Sequence, residues 1–483
     1  MRIVVIGGSA AGLITSLMLA RAGHDVVVVE QDSLVPAADV ETAATVALRA
    51  TAPQVVQPHI LLALCRNLLR HRLPDLYMAL RDAGVVEAAL ATQMPPSLAD
   101  RSAWPGDEQL MVLMTRRSTV DWVLRRWAAA EPGVTLHGGV RVTGLIAAPG
   151  RPPHIVGVGT DHGELTADGV VDAGGRRTRL DRWLVAIGAG QSEFRWAECG
   201  LAYYSRQYRL RTVTGLPGLP TTRIVSAFKE FVAGIWGADH NTMLLALAPL
   251  AADRRFRGAH HPEVFTAVLR TVPTLAAWLD VLEPISDVAA MGGLHNTLRR
   301  LVVAGQPVAT GLHAVGDAVC TTNPTFGRGL SLALRAAVDL VDVLDRYPDD
   351  PRAQTLAMDD AVTAHIAPWY GDQAAADAAL LATLWQSVLG AAPPPATPPI
   401  RDRVTFAQIR AAALVDPLAF RAVWTLMGAL RGPAEIYQNP QLVARVQEVL
   451  RRGDIPRPMA EPSPEQQLLT ALSTVPTGAP DVV

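Results

Sequence analysis

Gly7-Gly8-Ser9-Ala10-Ala11-Gly12 lies between a short β-branched run, residues 1–6, and an apolar stretch with helical spacing, residues 10–22. A turn of this composition can cradle a pyrophosphate. Gly7 permits the tight turn, the small Ser9 lets backbone N–H groups approach an anion, and Gly12 lets the helix pack closely on the strand. Ala10 and Ala11 complete the cradle with side chains too small to obstruct it. A second buried strand, residues 26–29, ends at Glu30, whose carboxylate is placed to accept from a ribose diol. Ser9 stands where a second glycine is usual. Strand, helix, strand and terminal acid fall in register, which favours a dinucleotide site over an ordinary βα loop. At this point NAD and FAD both remain open.

A second segment decides between them. Gly316-Asp317-Ala318 follows a strand-like run, residues 312–315, and Asn323-Pro324-Thr325-Phe326-Gly327-Arg328-Gly329 precedes a helical stretch over residues 330–344. Asp317 can accept from a ribityl hydroxyl. Gly327, Gly329 and Leu330 would present helix N-terminal N–H groups to the pyrimidine edge of a flavin, where they stabilise negative charge. The pair of segments points to FAD.

With these residues in place, the sequence resembles the class A flavoprotein monooxygenases, the group with the p-hydroxybenzoate hydroxylase fold, over residues 1 to about 345. It is most similar to the branch containing the flavin epoxidases of polyether antibiotic pathways. That branch carries an Arg, then Pro-Gln, then a His before a leucine-rich helix, matched here by Arg49, Pro53-Gln54 and His59. Arg117, just before Asp121-Trp122, matches the family's arginine at a helix start. The resemblance implies that Arg49 lies by the FAD phosphates and Arg117 by the adenosine side. Gln57 and Cys65 depart from the branch, which tends to have His and Gly there. In Val170-Val171-Asp172-Ala173-Gly174-Gly175-Arg176-Arg177-Thr178, Gly174 stands where many class A hydroxylases carry an Asp associated with FAD and NADPH. The epoxidase branch also lacks that Asp. No second glycine-rich βαβ unit occurs, so NADPH or NADH would dock transiently as reductant, or a partner flavin reductase would act.

The implied activity is FAD-dependent epoxidation or hydroxylation of a bulky apolar small molecule, a natural-product intermediate of bacterial secondary metabolism. Such chemistry asks the protein mainly to shield the flavin from water, so catalytic side chains are not identifiable. The expected pocket wall is the strand-rich block from 200 to 250, with Tyr203, Tyr204, Phe228, Phe231 and Trp236, completed by Pro324 and Phe326. Each of those aromatics would serve equally well as sheet core. Lys229, the single lysine, reads as a solvated residue, and the histidines show no metal-ligand spacing. Flavin-dependent halogenases share the fold, but their early lysine and Trp-x-Trp-x-Ile-Pro segment are missing. The serious alternative is a non-redox cyclase similar to the FAD-binding dialkyldecalin synthase of spirotetronate pathways, with FAD structural and catalysis by orientation. A flavin reductase or dehydrogenase would want a dedicated nicotinamide domain.

The elements that must position these residues read as an α/β protein with a Rossmann-like FAD-binding domain, a β-sheet substrate domain and a helical C-terminal region. The expected divisions are 1–180 and 301–345 for the FAD domain, 181–300 for the substrate domain and 346–483 for the helical region. Helices are expected over 60–80 and 118–130, and a meander over 134–145 and 155–172. A proline cluster at 393–399 marks a loop, and the chain after Pro456 reads as loosely attached. The 483 residues exceed one simple core, and a net charge of -2 gives no basic surface for nucleic acid. Three cysteines without paired spacing fit a reducing cytoplasm rather than a disulfide or zinc framework. No apolar run reaches the ~20 residues of a membrane span.

Overall fold

A computed structural model describes residues 1–46, 52–98, 100–221, 223–390, 402–453, 455 and 465–473. Arg49 and the proline cluster at 393–399 lie outside the described residues.

The β-branched runs form a five-stranded sheet in the order Leu312–Ala314, Gly169–Asp172, Arg2–Ile6, Asp25–Glu30 and Val134–Gly138. Every pairing in it is parallel. A parallel sheet is covered on both faces, which is why its central strands are apolar at successive positions rather than alternately. The helix Ala10–Arg21 is buried almost all round, because the sheet and the helices Gly329–Arg346 and Arg117–Ala130 enclose it. The strand order carries the functional consequence. It places the loops after Ile6, Asp172 and Ala314 side by side at the carboxyl end of the sheet, where open α/β sheets bind ligands.

A second, antiparallel sheet runs in the order Arg223–Ala227, Phe231–Gly237, Thr242–Pro249, Tyr203–Leu210 and Leu282–Pro284, with Ala289–Met291 also pairing with Tyr203–Leu210. One face packs on the helices Pro262–Arg270 and Pro273–Asp280. The other face is open to a pocket.

Three expectations are corrected. The stretch 60–80 is a strand, His59–Leu61, followed by two helices, Ala63–Arg72 and Pro74–Asp82. Pro74 has no N–H to continue a helix, and it bars the helical conformation at Leu73 (φ -137°, ψ 60°). Within the expected meander, Val134–Gly138 and Gly169–Asp172 belong to the parallel sheet; Val142–Ala148, His154–Thr160 and Gly163–Thr166 form the antiparallel one. Finally, part of the tail is docked. Glu465–Leu472 is a helix that buries Leu468 and Ala471, three positions apart, against the core of the second sheet.

Helices Pro351–Ala361, Ala367–Leu389, Phe406–Ala412, Pro417–Met427, Pro433–Tyr437 and Pro440–Arg452 complete the chain. No helix among the described residues is long and apolar enough to cross a membrane.

Candidate functional site

The first turn is closed by contacts that admit no larger residue. Gly7 has φ +106° and donates its N–H to Val29 O at 2.8 Å; a Cβ there would lie 2.5 Å from the Ala173 carbonyl oxygen. A Cβ on Gly12 would lie 1.9 Å from Gly7 O, so helix and turn touch backbone to backbone. The Glu30 carboxylate accepts from the N–H of Gly8 at 2.8 Å and of Asp32 at 2.9 Å. It therefore braces the turn as well as bordering the groove. Ser9 begins the helix in extended conformation without capping it through its side chain, so the first helical N–H groups face the groove. Its hydroxyl instead accepts from Arg117 Nη2 at 3.1 Å, while Arg117 Nε holds Asp121 Oδ1 at 2.7 Å.

The neighbouring loop is organised by Asp172. Its two oxygens accept from Gly174 N–H at 2.8 Å and Thr178 Oγ1–H at 2.6 Å. Burial holds this carboxyl above its ordinary pKa, opposed by those two hydrogen bonds. The loop it shapes carries Arg176 to the groove. Asp317, from the third loop, lies along the same groove. Its carboxylate has no hydrogen-bond partner among the described residues. Burial raises its pKa, and the charges of Arg117 and Arg176 act against that rise.

These groups line one elongated space in two compartments, of about 310 and 180 Å³. Ser9, Gln54, Ala173, Gly175, Arg176 and Asp317 border both. Ala11, Gly327, Gly329 and Leu330 line the second, at the N-terminus of the helix Gly329–Arg346. An anion-receiving turn, two arginines, a half-buried carboxylate with no hydrogen-bond partner among the described residues and a second helix N-terminus fit the phosphates, hydroxyls and ring edge of a flavin dinucleotide.

The 323–329 loop is held from behind by the C-terminal helices. Asn323 Oδ1 accepts from Tyr203 Oη, and Asn323 Nδ2 donates to Asp377 Oδ1 at 2.9 Å. Asp377 also receives Asn296 Nδ2 at 2.7 Å and Gln373 Nε2 at 2.9 Å. None of this network was legible beforehand, since no local pattern says which distant helix backs a loop. Arg176 carries no role in the sequence analysis, and its signal is its place one turn beyond the parallel strand Gly169–Asp172.

A third, apolar space of about 80 Å³ adjoins the second compartment and shares Gln57, Pro58, His59, Ile60, Met291, Pro324 and Gly327 with it. Tyr203, Trp236, Pro324 and Phe326 line it. Phe228, Phe231 and Tyr204 do not: they pack on the opposite face of the sheet with Phe256 and Phe265. Alternation along the strands separates them from Trp236. Lys229 is exposed in the hairpin turn beside them. His59 lies on a strand, not at a helix start, with Nδ1 donating to Gln57 O at 2.9 Å. Burial, reinforced by the charge of Arg117, pulls its pKa down to about 4, so Nε2 is a neutral acceptor at pH 7.

This architecture is the fold of the FAD-binding flavoprotein monooxygenases. Over 81% of this chain and 98% of its own, PqsL, a probable FAD-dependent monooxygenase from Pseudomonas aeruginosa, superposes with a TM-score of 0.58 at 16% identity. The flavin-dependent brominase Bmp2 matches 94% of this chain and 100% of its own, with a TM-score of 0.60 and 16% identity. PyrE3, a Diels-Alderase in the biosynthetic pathway of pyrroindomycins, matches 92% of this chain and 80% of its own, with a TM-score of 0.53 and 15% identity. Protein Rv3254 of Mycobacterium tuberculosis (strain ATCC 25618 / H37Rv) is 27% identical over 362 residues, 68% of this chain and 70% of that protein. No protein-family model matches.

Proposed function

We propose that the chain binds FAD along the two-compartment groove and oxygenates an apolar small molecule, by epoxidation or hydroxylation, in the adjoining pocket. One observation carries this reading. The apolar pocket opens onto the end of the groove where Gly327, Gly329 and Leu330 would receive the flavin ring, with His59, Met291 and Pro324 bordering both spaces. A natural-product intermediate of bacterial secondary metabolism fits such a pocket, and the epoxidase branch is the proposed place within the fold.

When bound and reduced, FAD would supply the two electrons that activate dioxygen, one of whose oxygen atoms would go to the substrate and the other to water. The protein's own part is positioning. The N–H groups of the helix Ala10–Arg21, with Arg117 and Arg176, receive the phosphates, and Glu30 and Asp317 receive hydroxyls. The helix Gly329–Arg346 offers its positive end to charge developing on the ring edge. Ile60, Val232 and Trp236 exclude water from the substrate side. NADPH or NADH, docking transiently, or a separate flavin reductase is the proposed electron source.

The likeness to a Diels-Alderase over 92% of the chain supports a second reading, a cyclase that orients its substrate beside a structural FAD. Mixing the yellow protein anaerobically with NADPH or NADH, and then with oxygenated buffer, separates the two. Oxygenase function requires bleaching followed by oxygen-dependent recovery that transfers oxygen to an added substrate. A flavin that cycles with neither nicotinamide nor dithionite rules that function out and leaves the cyclase.

A further inference from the structure

Arg223 opens the edge strand Arg223–Ala227 and pairs across the sheet with Trp236. It lines the apolar pocket but not the groove behind it. Of the other polar side chains of the pocket wall, Gln57, Tyr203 and Thr325 are engaged by protein partners, and His59 offers only a neutral Nε2. Gln57 Oε1 accepts from Ser205 Oγ at 2.7 Å and its Nε2 donates to Ala289 O at 3.3 Å, while Tyr203 and Thr325 bond each other at 2.9 Å. Arg223 differs from them. Among the described residues it has neither a carboxylate partner nor a hydrogen bond, and its one polar contact is the Trp424 ring, 5.7 Å from the guanidinium carbon.

A ring at that distance takes up none of the guanidinium's hydrogen bonds, so its N–H groups are left to meet a planar oxyanion through two parallel hydrogen bonds. Burial pulls the Arg223 pKa down to about 10, so the side chain keeps its charge at neutral pH. A half-buried cation that faces an apolar cavity without a counter-charge carries a desolvation cost, and a bound anion is what relieves it. We infer that Arg223 is the specificity residue of the pocket and that the substrate is an apolar molecule bearing a carboxylate-class oxyanion. The headgroup sits at Arg223, and the apolar body extends past Val225, Val232 and Trp236 toward His59 and the groove. This inference rests on the proposed function only in taking the pocket as the substrate site.

The test needs no turnover. The FAD-loaded protein is titrated with octanoate, octan-1-ol and methyl octanoate by calorimetry. Octanoate should bind roughly tenfold to a hundredfold more tightly than either neutral probe, the range for hydrogen bonds to a charged group. Arg223→Gln should abolish that preference while leaving octan-1-ol binding and the yellow colour intact, and Arg223→Lys should keep part of it. Equal binding of acid and alcohol, a preference that survives Arg223→Gln, or no saturable octanoate binding would overturn the inference. Because no step reads flavin redox chemistry, its failure is separable from failure of the oxygenase reading.

Discussion

The Arg328 guanidinium, fully buried, is held by Asp372 at 2.7 Å and lies between the rings of Phe326 and Trp369, each 4.7 Å from its central carbon. Arg328 begins the helix that borders the proposed ring site, and Asp372 belongs to Ala367–Leu389. One ion pair therefore fastens the loop of the site to the C-terminal region. Tyr437 adds a second tie, donating its hydroxyl to Asp372 Oδ1 at 2.6 Å.

Removing one partner of that pair would strand a charge in the interior. Asp372→Ala should cost about 3–5 kcal/mol of stability, the range for breaking a buried pair. The Arg328→Met/Asp372→Ala double variant should recover part of that loss. Urea unfolding of the set checks this; a cost below about 1 kcal/mol for Asp372→Ala would mean the loop is held by packing alone.

Phe231 and Trp236 lie an odd number of residues apart on one strand, so they point to opposite faces. Phe231→Ala should cost about 3–5 kcal/mol of stability, as a core truncation does, and leave pocket ligands bound as before. Trp236→Ala should instead weaken binding of an apolar probe in the pocket, with the smaller stability cost of a half-buried side chain. A stable Phe231→Ala protein with weakened pocket binding would contradict the assignment of faces.

That pair also shows what could be read in advance. Gly7, Gly12 and Glu30 were legible because a turn with no room for a side chain, and an acid at the next strand's end, are local properties. The 316–329 segment was legible through Gly316 and Gly327, whose positive φ is likewise a local property. Phe231 was misplaced although the alternation that separates it from Trp236 was available. Asp372 and Asp377 could not be found at all: each acts through a tertiary contact with a loop far away in the chain, and helical periodicity gives a buried face without naming its partner. The docked helix Glu465–Leu472 is short, and only Leu468 and Ala471 of its apolar residues are buried, which gives too brief a stripe to read in advance.

Two histidines should make stability pH-dependent. Burial pulls His59 and His313 from 6.5 to about 4, with Gln354 opposing the shift at His313. For a base depressed by folding, the unfolded chain takes up its proton first, so stability is intact above pH 6.5 and falls as pH drops toward 4. The carboxyls of Asp172, Asp317 and Asp377, raised by desolvation, act with the opposite sign as they protonate. The histidine contribution is therefore best taken as a difference. Between pH 6.5 and 5, the stability advantage of wild type over His313→Gln should shrink by about 1.6 kcal/mol, approaching about 1.4 kcal/mol per pH unit as the unfolded imidazole becomes fully protonated. A difference that does not change with pH would show that His313 is not held neutral by the fold.

Asp317 is the most direct test of the groove. Its carboxylate is half-buried, lacks a hydrogen-bond partner among the described residues, and feels the charges of Arg117 and Arg176. Those arginines also serve the phosphates in the proposed arrangement, so the carboxylate is left to accept from a sugar-alcohol hydroxyl. Asp317→Ala should lower FAD affinity roughly tenfold to a hundredfold, as the loss of a hydrogen bond to a charged group does. Asp317→Asn, which keeps an acceptor but not the charge, should fall between. Stability of the flavin-free protein should not drop in either variant, since both remove a charge that burial disfavours. Retention of FAD at wild-type affinity in Asp317→Ala would move the ribityl contact to another residue, and the second compartment would no longer be the ring site.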